Sequence, residues 1–200
     1  MQSSFFDFQN FLPSISSIEK TSSTLVRYAN LSDVNEIGDV LTFSFNHFND
    51  FTLWIYPLIK LSVCEDLRNR IKNPNSEHFC LVAVSTIVNK NDNSPRIIGT
   101  VELSFRTEYG WKGKRKYPYI ANLAVSKNYR RQGIGSQLLS KCEMIAQNQG
   151  FNEVYLHVLA SNKSGQQLYL QNGYTIRQVE TDLYSLFVPS KRRLLLAKSI

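Results

Sequence analysis

Cysteine, histidine, methionine and tryptophan are scarce in these 200 residues, with 3 Cys, 3 His, 2 Met and 2 Trp. Cys64, Cys80 and Cys142 are widely spaced, odd in number and set among apolar neighbours. That pattern excludes a disulfide framework and reads as buried free thiols in a reducing compartment. His47, His78 and His157 show no paired Cys and no His-x3-His spacing, so no metal site is expected. No stretch reaches the run of about 18 apolar residues that a membrane helix needs. Met1-Gln-Ser-Ser-Phe-Phe lacks the basic and continuous apolar regions of a secretory signal, and no long Ser/Arg-rich transit segment is found. Acid is missing in one place in particular: between Tyr109 and Cys142 there is no Asp or Glu, while Lys112, Lys114, Arg115, Lys116, Lys127, Arg130, Arg131 and Lys141 all fall there.

What is present suffices for one domain. At 42% hydrophobic the chain can bury a proper core, and a single domain over residues 23–200 is expected behind a loosely attached lead of residues 1–22. A first strand is expected at Leu25 to Tyr28. A helix follows to about Phe48, capped by Asp33 with Glu36, with Val34, Ile37, Val40, Leu41, Phe45 and Phe48 on its apolar face. A second helix is expected from near Pro57 to about Lys72, its faces marked by Leu58, Leu61, Cys64 or Glu65, Leu67 and Ile71. Phe51 to Tyr56 is aromatic enough to line a pocket. Strands at His78 to Val88 and Arg96 to Phe105 flank the polar turn Asn89 to Pro95. A basic loop around Trp111 to Tyr117 leads into a strand ending near Ser126, a helix from Gly133 to Gln149 and a strand at Glu153 to Val158. After a further helix, Tyr174 to Val179 and Leu194 to Lys198 close the chain as a hairpin.

The segment from Tyr119 to Leu139 runs from an apolar strand through a basic turn into a helix whose first turn holds Gly133 and Gly135. Exposed N–H groups at a helix N-terminus carry partial positive charge, and glycine lets a phosphate approach them. Arg130 and Arg131 add full charges beside that cradle. The pattern Arg130-x-x-Gly133-x-Gly135 resembles motif A of the GNAT acetyltransferases, where the diphosphate of acetyl-CoA binds. A second block, Asn162-x6-Tyr169-x3-Gly173-Tyr174, resembles the other coenzyme-contacting helix of that family.

The resemblance covers about residues 23–200 and implies an α+β GNAT fold. Its central sheet is mixed, mostly antiparallel and splayed between the fourth and fifth strands, with about four helices around it. It implies acetyl-CoA as co-substrate, bound by Leu123, Ala124 and Val125 through a bulged strand backbone and by Arg130, Arg131, Gln132, Gly133, Ile134, Gly135, Ser136, Asn162 and Tyr169. In that family Tyr169 is where a general-acid tyrosine protonates the leaving thiolate. The glutamate many members carry on the fourth strand is absent from Pro118 to Val125. Tyr119, His157 and Tyr169 instead are similar to the catalytic positions of NatE-type protein N-terminal acetyltransferases, in which the Tyr and His hold a water that takes the amine proton.

An imidazole suits that task near neutrality, and Glu102 is the alternative base and a substrate-side residue. Tyr184, on the closing hairpin, corresponds to a residue that covers the acceptor backbone. The expected acceptor is a protein or peptide amine; small-molecule amines, or a regulatory acetyl-CoA-binding module, are the alternatives. For the basic stretch Lys112 to Lys116 two readings stand, a solvated loop and a docking patch for a polyanion such as the ribosome. Flanking residues from Trp54 through Arg68 resemble the chloroplast and cyanobacterial type, which fits a cytoplasmic or stromal enzyme, monomeric or homodimeric, with no membrane partner.

Overall fold

In the computed structural model the described residues are 24–45, 56–72, 77–85, 95–110, 113–180 and 192–200. The lead, Phe48, Phe51 to Ile55, most of the turn before Pro95, Trp111, Lys112 and Tyr184 lie outside them. The strands β1 (Thr24–Tyr28), β2 (His78–Ser85), β3 (Arg96–Gly110), β4 (Gly113–Val125), β5 (Glu153–Leu159), β6 (Thr175–Glu180) and β7 (Arg193–Ser199) form one sheet in the order β1-β2-β3-β4-β5-β7-β6. Every neighbouring pair is antiparallel except β4 and β5. Those two pair in parallel only at Tyr119 with Tyr155 and Ile120 with Leu156. Past Ile120 their pairing ends, at the place where the resemblance implies the splay.

Alternating side chains send the strands' apolar groups to both faces of the sheet, so each face needs a helical cover. On one face α1 (Val34–Phe45) and α2 (Tyr56–Lys72) bury Val34, Ile37, Leu41, Cys64 and Leu67 against Cys80, Val82 and Val84. On the other, α3 (Ile134–Asn148) lays Leu138, Leu139, Cys142, Ile145 and Ala146 on Leu81, Val101 and Leu103, and α4 (Lys163–Gln171) adds Tyr169. All three cysteines are free and buried, as expected. Burial pushes the Cys80 thiol up to about 12 and raises Cys64 as well, so neither is a ready thiolate near neutrality. Among the described residues no helix is long and apolar enough to cross a membrane, and no His, Cys, Asp and Glu gather as a metal site.

Three local expectations are corrected. The helical turn before α1 is capped by Asn30, whose Oδ1 accepts from the Ser32 amide at 3.1 Å, while Asp33 reaches back to the Asn30 amide at 2.8 Å. Asp33 is thus the inner member of the capping box, held also by Arg27 at 2.6 Å, and Glu36 is free to accept from the Ile97 amide at 2.9 Å. Leu58 and Leu61 are 61% and 59% exposed, so of the marked α2 residues Cys64 and Leu67 are buried in the core and Ile71 packs against it. The basic loop is mostly strand: Lys114, Arg115 and Lys116 stand opposite Tyr109, Glu108 and Thr107 on a long β3–β4 hairpin. Lys116 pairs with Glu77 at 2.8 Å and Arg115 lies 3.7 Å from Glu153, so much of this positive charge is compensated within the fold.

Candidate active site

The register of β3 and β4 breaks at one place. Ala121 faces Glu102 and Ala124 faces Thr100, so Asn122 and Leu123 share the space opposite Val101. This is a β-bulge, with Asn122 in the left-handed region at φ 52°. It lies on the part of β4 that β5 has already left, so Leu123, Ala124 and Val125 border the splay. The Val125 carbonyl is occupied by Arg130 Nε at 2.9 Å, which folds the arginine back over the strand end.

The turn that follows is built for an open helix N-terminus. Arg131 and Gly133 both take positive φ, 65° and 79°, and Gly133 is the N-cap of α3 without any side-chain cap. The first amides of α3, from Ile134 to Ser136, are therefore left for an external acceptor. The two glycines do different work. A Cβ on Gly133 would meet nothing within 4 Å, so its requirement is the backbone angle; a Cβ on Gly135 would lie 2.9 Å from Leu168 Cδ2. Gly135 thus also serves the close contact of α3 with α4, beside its expected place in the phosphate cradle. Arg131 reaches Gln167 at 3.0 Å, Gln132 reaches the Asn128 carbonyl at 3.3 Å, and Ser136 Oγ accepts from Asn172 at 3.0 Å. Asn162 is the N-cap of α4, its Oδ1 accepting from the Gly165 amide at 2.9 Å.

Tyr119 and His157 come together where β4 and β5 still pair. The Tyr119 hydroxyl lies 2.8 Å from His157 Nδ1. The Arg106 guanidinium sits 3.4 Å above the Tyr119 ring, a cation–π contact that fixes its plane. Glu180 Oε1 is 2.9 Å from His157 Nε2, although that nitrogen makes no hydrogen bond among the described residues. Tyr169 enters from α4, 9% exposed and edge-on to Tyr174 at 5.9 Å. Burial, and secondarily the neighbouring Tyr119, push its phenol up to about 12, so it stays a proton donor across the neutral range. Tyr119 and His157 thus touch, and Tyr169 lies close enough to Tyr119 to feel its charge.

Glu102 stands apart from that group, opposite Ala121 rather than Tyr119. It is 3% exposed and both oxygens are engaged: Oε2 by Arg70 and by His78 Nε2 at 3.0 Å, Oε1 by Asn122 Nδ2 at 3.0 Å. Burial alone would raise its pKa. The hydrogen bonds from His78 and Asn122 and the charge of Arg70 outweigh burial and hold it below the ordinary carboxylate range. A carboxylate so committed is a weak proton acceptor. It floors a cleft of about 570 Å³ bordered by Arg70, His78, Ser104 and Arg106.

Sequence reasoning missed Arg70, His78, Asn122, Arg106 and Glu180. Only Asn122 carried a usable signal: an asparagine inside an apolar strand favours the left-handed conformation of a bulge.

Residues 45–174 match the family described as the acetyltransferase (GNAT) family. GCN5-related N-acetyltransferase 10, chloroplastic, of Arabidopsis thaliana is 29% identical over 156 residues, covering 76% of this chain and 60% of that protein. N-alpha-acetyltransferase 50 of Danio rerio is 33% identical over 82 residues, which are 40% of this chain and 49% of that protein. The chain therefore spans 60% or less of the length of these relatives. The structure of PaiA N-acetyltransferase from Thermoplasma acidophilum in complex with coenzyme A shares the fold, with a TM-score of 0.64 at 21% identity over 89% of this chain and 99% of that one.

Proposed function

Since this chain belongs to the acetyltransferase (GNAT) family, whose acyl donor is acetyl-CoA, we propose that it transfers the acetyl group directly to a primary amine in a ternary complex. Protein N-terminal α-amines and lysine ε-amines are the acceptor class. The observation that carries this reading is the 2.8 Å contact between Tyr119 and His157 Nδ1 at the mouth of the splay, with Tyr169 buried beside it.

The residues divide the chemistry between them. The open N-terminus of α3 with Arg130 and Arg131 offers the diphosphate amide donors and positive charge. The β4 edge from Leu123 to Val125 offers backbone groups to the acyl arm and its carbonyl, where charge develops during attack. An ammonium acceptor must first lose a proton, and His157 with Tyr119, directly or through a water, is the acceptor pair for it. Glu180 Oε1 lies 2.9 Å from Nε2 on the other side of the ring. Tyr169, held neutral by burial, gives its proton to the departing sulfur, which spares a poorly solvated thiolate.

Resemblance to a protein N-alpha-acetyltransferase over 82 residues supports a peptide acceptor, and a chloroplastic relative supports a stromal location. Tyr184 remains the expected residue on the acceptor side. A peptide-library acetylation assay read by mass spectrometry tests the proposal. Acetylated α- or ε-amines are expected; a protein that acetylates only free polyamines or other small amines refutes the acceptor class.

A further inference from the structure

Left-handed backbone is costly for any residue with a Cβ, and asparagine only lowers that cost. At φ 52° in the middle of a strand, Asn122 needs something to hold it. Its own side chain supplies the tether, because Nδ2 donates to Glu102 Oε1 across the β3–β4 pair at 3.0 Å. Glu102 cannot drift with it: the carboxylate is 3% exposed and is gripped from the other side by Arg70 on α2 and by His78 on β2. Four elements therefore meet at one carboxylate. Asn122 itself is exposed, so its bond to Glu102 is not needed to satisfy a buried amide.

Resting on the assignment of the splay to acetyl-CoA, we infer that Glu102 is a positioning residue of the donor site. Through Asn122 it locks the β4 bulge in the form that takes Leu123 out of register with β3 and leaves its backbone to the acyl arm. Glu102 acts at one remove and exchanges no proton with the acceptor. Without the lock, β4 can relax toward a regular pairing with β3, and the backbone groups beside the splay lose their fixed direction.

Glycine discriminates this role from general support of the fold, since it takes positive φ with no tether. Asn122→Ala keeps the Cβ and removes the tether; it should weaken coenzyme A binding by about tenfold in calorimetric titration. In steady-state assays KM for acetyl-CoA should rise more than kcat falls. Asn122→Gly should recover most of the lost binding. Glu102→Leu should weaken binding in the same way, and Asn122→Gly placed on top of it should recover binding. Should Glu102→Leu fail to fold, the Ala and Gly variants at 122 decide alone. Backbone 13C shifts of residues 121–124 in the free proteins should move in Asn122→Ala and much less in Asn122→Gly.

Wild-type binding with an Ala variant that binds equally well overturns the role, as does a Gly variant no better than Ala. A wild-type protein that does not bind coenzyme A overturns the acetyl-CoA assignment and this role together, so the two failures are distinguishable.

Discussion

Cutting the contact between Tyr119 and His157 is the sharpest perturbation the site offers. Tyr119→Phe removes one oxygen and leaves the ring under the Arg106 guanidinium, 3.4 Å from its centroid. His157→Ala removes the imidazole from β5, where its backbone pairing with Leu195 persists. General acid–base catalysis is commonly worth about 10² to 10⁴ in rate, or roughly 2.7 to 5.5 kcal/mol. A kcat loss of about 10²-fold or more is therefore expected for His157→Ala. Neither residue belongs to the turn around Gly133, so KM for acetyl-CoA should stay within about twofold. If the two groups handle one proton through their 2.8 Å contact, their losses cannot add: the double variant should be about as slow as the slower single. The assay is steady-state acetylation of the best library peptide, with thermal melts to show that each variant is folded. Full kcat in His157→Ala, or losses that multiply in the double variant, would refute the shared-proton reasoning.

Gly133→Val should leave the fold intact, because a Cβ there meets nothing within 4 Å, yet weaken coenzyme A binding by about 5- to 30-fold through backbone strain; Gly135→Ala should instead lower Tm through the Leu168 contact. Titration calorimetry and melting curves separate the two, and equal coenzyme affinity in Gly133→Val would contradict the cradle. Tyr169→Phe should lower kcat at every pH from 6 to 9, because a phenol pushed up to about 12 stays protonated throughout that range; a loss confined to high pH would contradict the donor role. Glu102 has a folded pKa below its ordinary value, so its stabilisation is whole above the unfolded pKa of about 4.3 and is lost as pH falls through the lower folded value. Glu102→Gln should accordingly show a smaller drop in Tm between pH 6 and pH 3 than the wild type, and an equal drop would argue against the charge role.

The donor side was legible because its parts are neighbours in the chain. Arg130, Arg131, Gly133 and Gly135 occupy one turn, and Asn162 and Tyr169 bracket one helix, so two short motifs carry the family resemblance that marks them. Element order was legible for the same reason: apolar period and punctuation report local structure, and the caps failed only where two candidates, Asn30 and Asp33, were both chemically suited to the post. The cluster around Glu102 is assembled from residues 20 to 32 positions apart, in its bonds to Asn122, His78 and Arg70. A cross-strand partner follows from register, and register here turns on the one-residue slip at the bulge. Reading Glu102 as a base was a judgement of residue type made without that register; with it, the same carboxylate has its oxygens committed. The basic stretch was legible in its exposure and not in its pairing. Lys114 to Lys116 are exposed on the β3–β4 hairpin, but Glu108 stands opposite Arg115, and Glu77 and Glu153, distant in sequence, lie beside Lys116 and Arg115. Charge along a chain does not show which counter-ions a sheet supplies, because they come from neighbouring strands and turns.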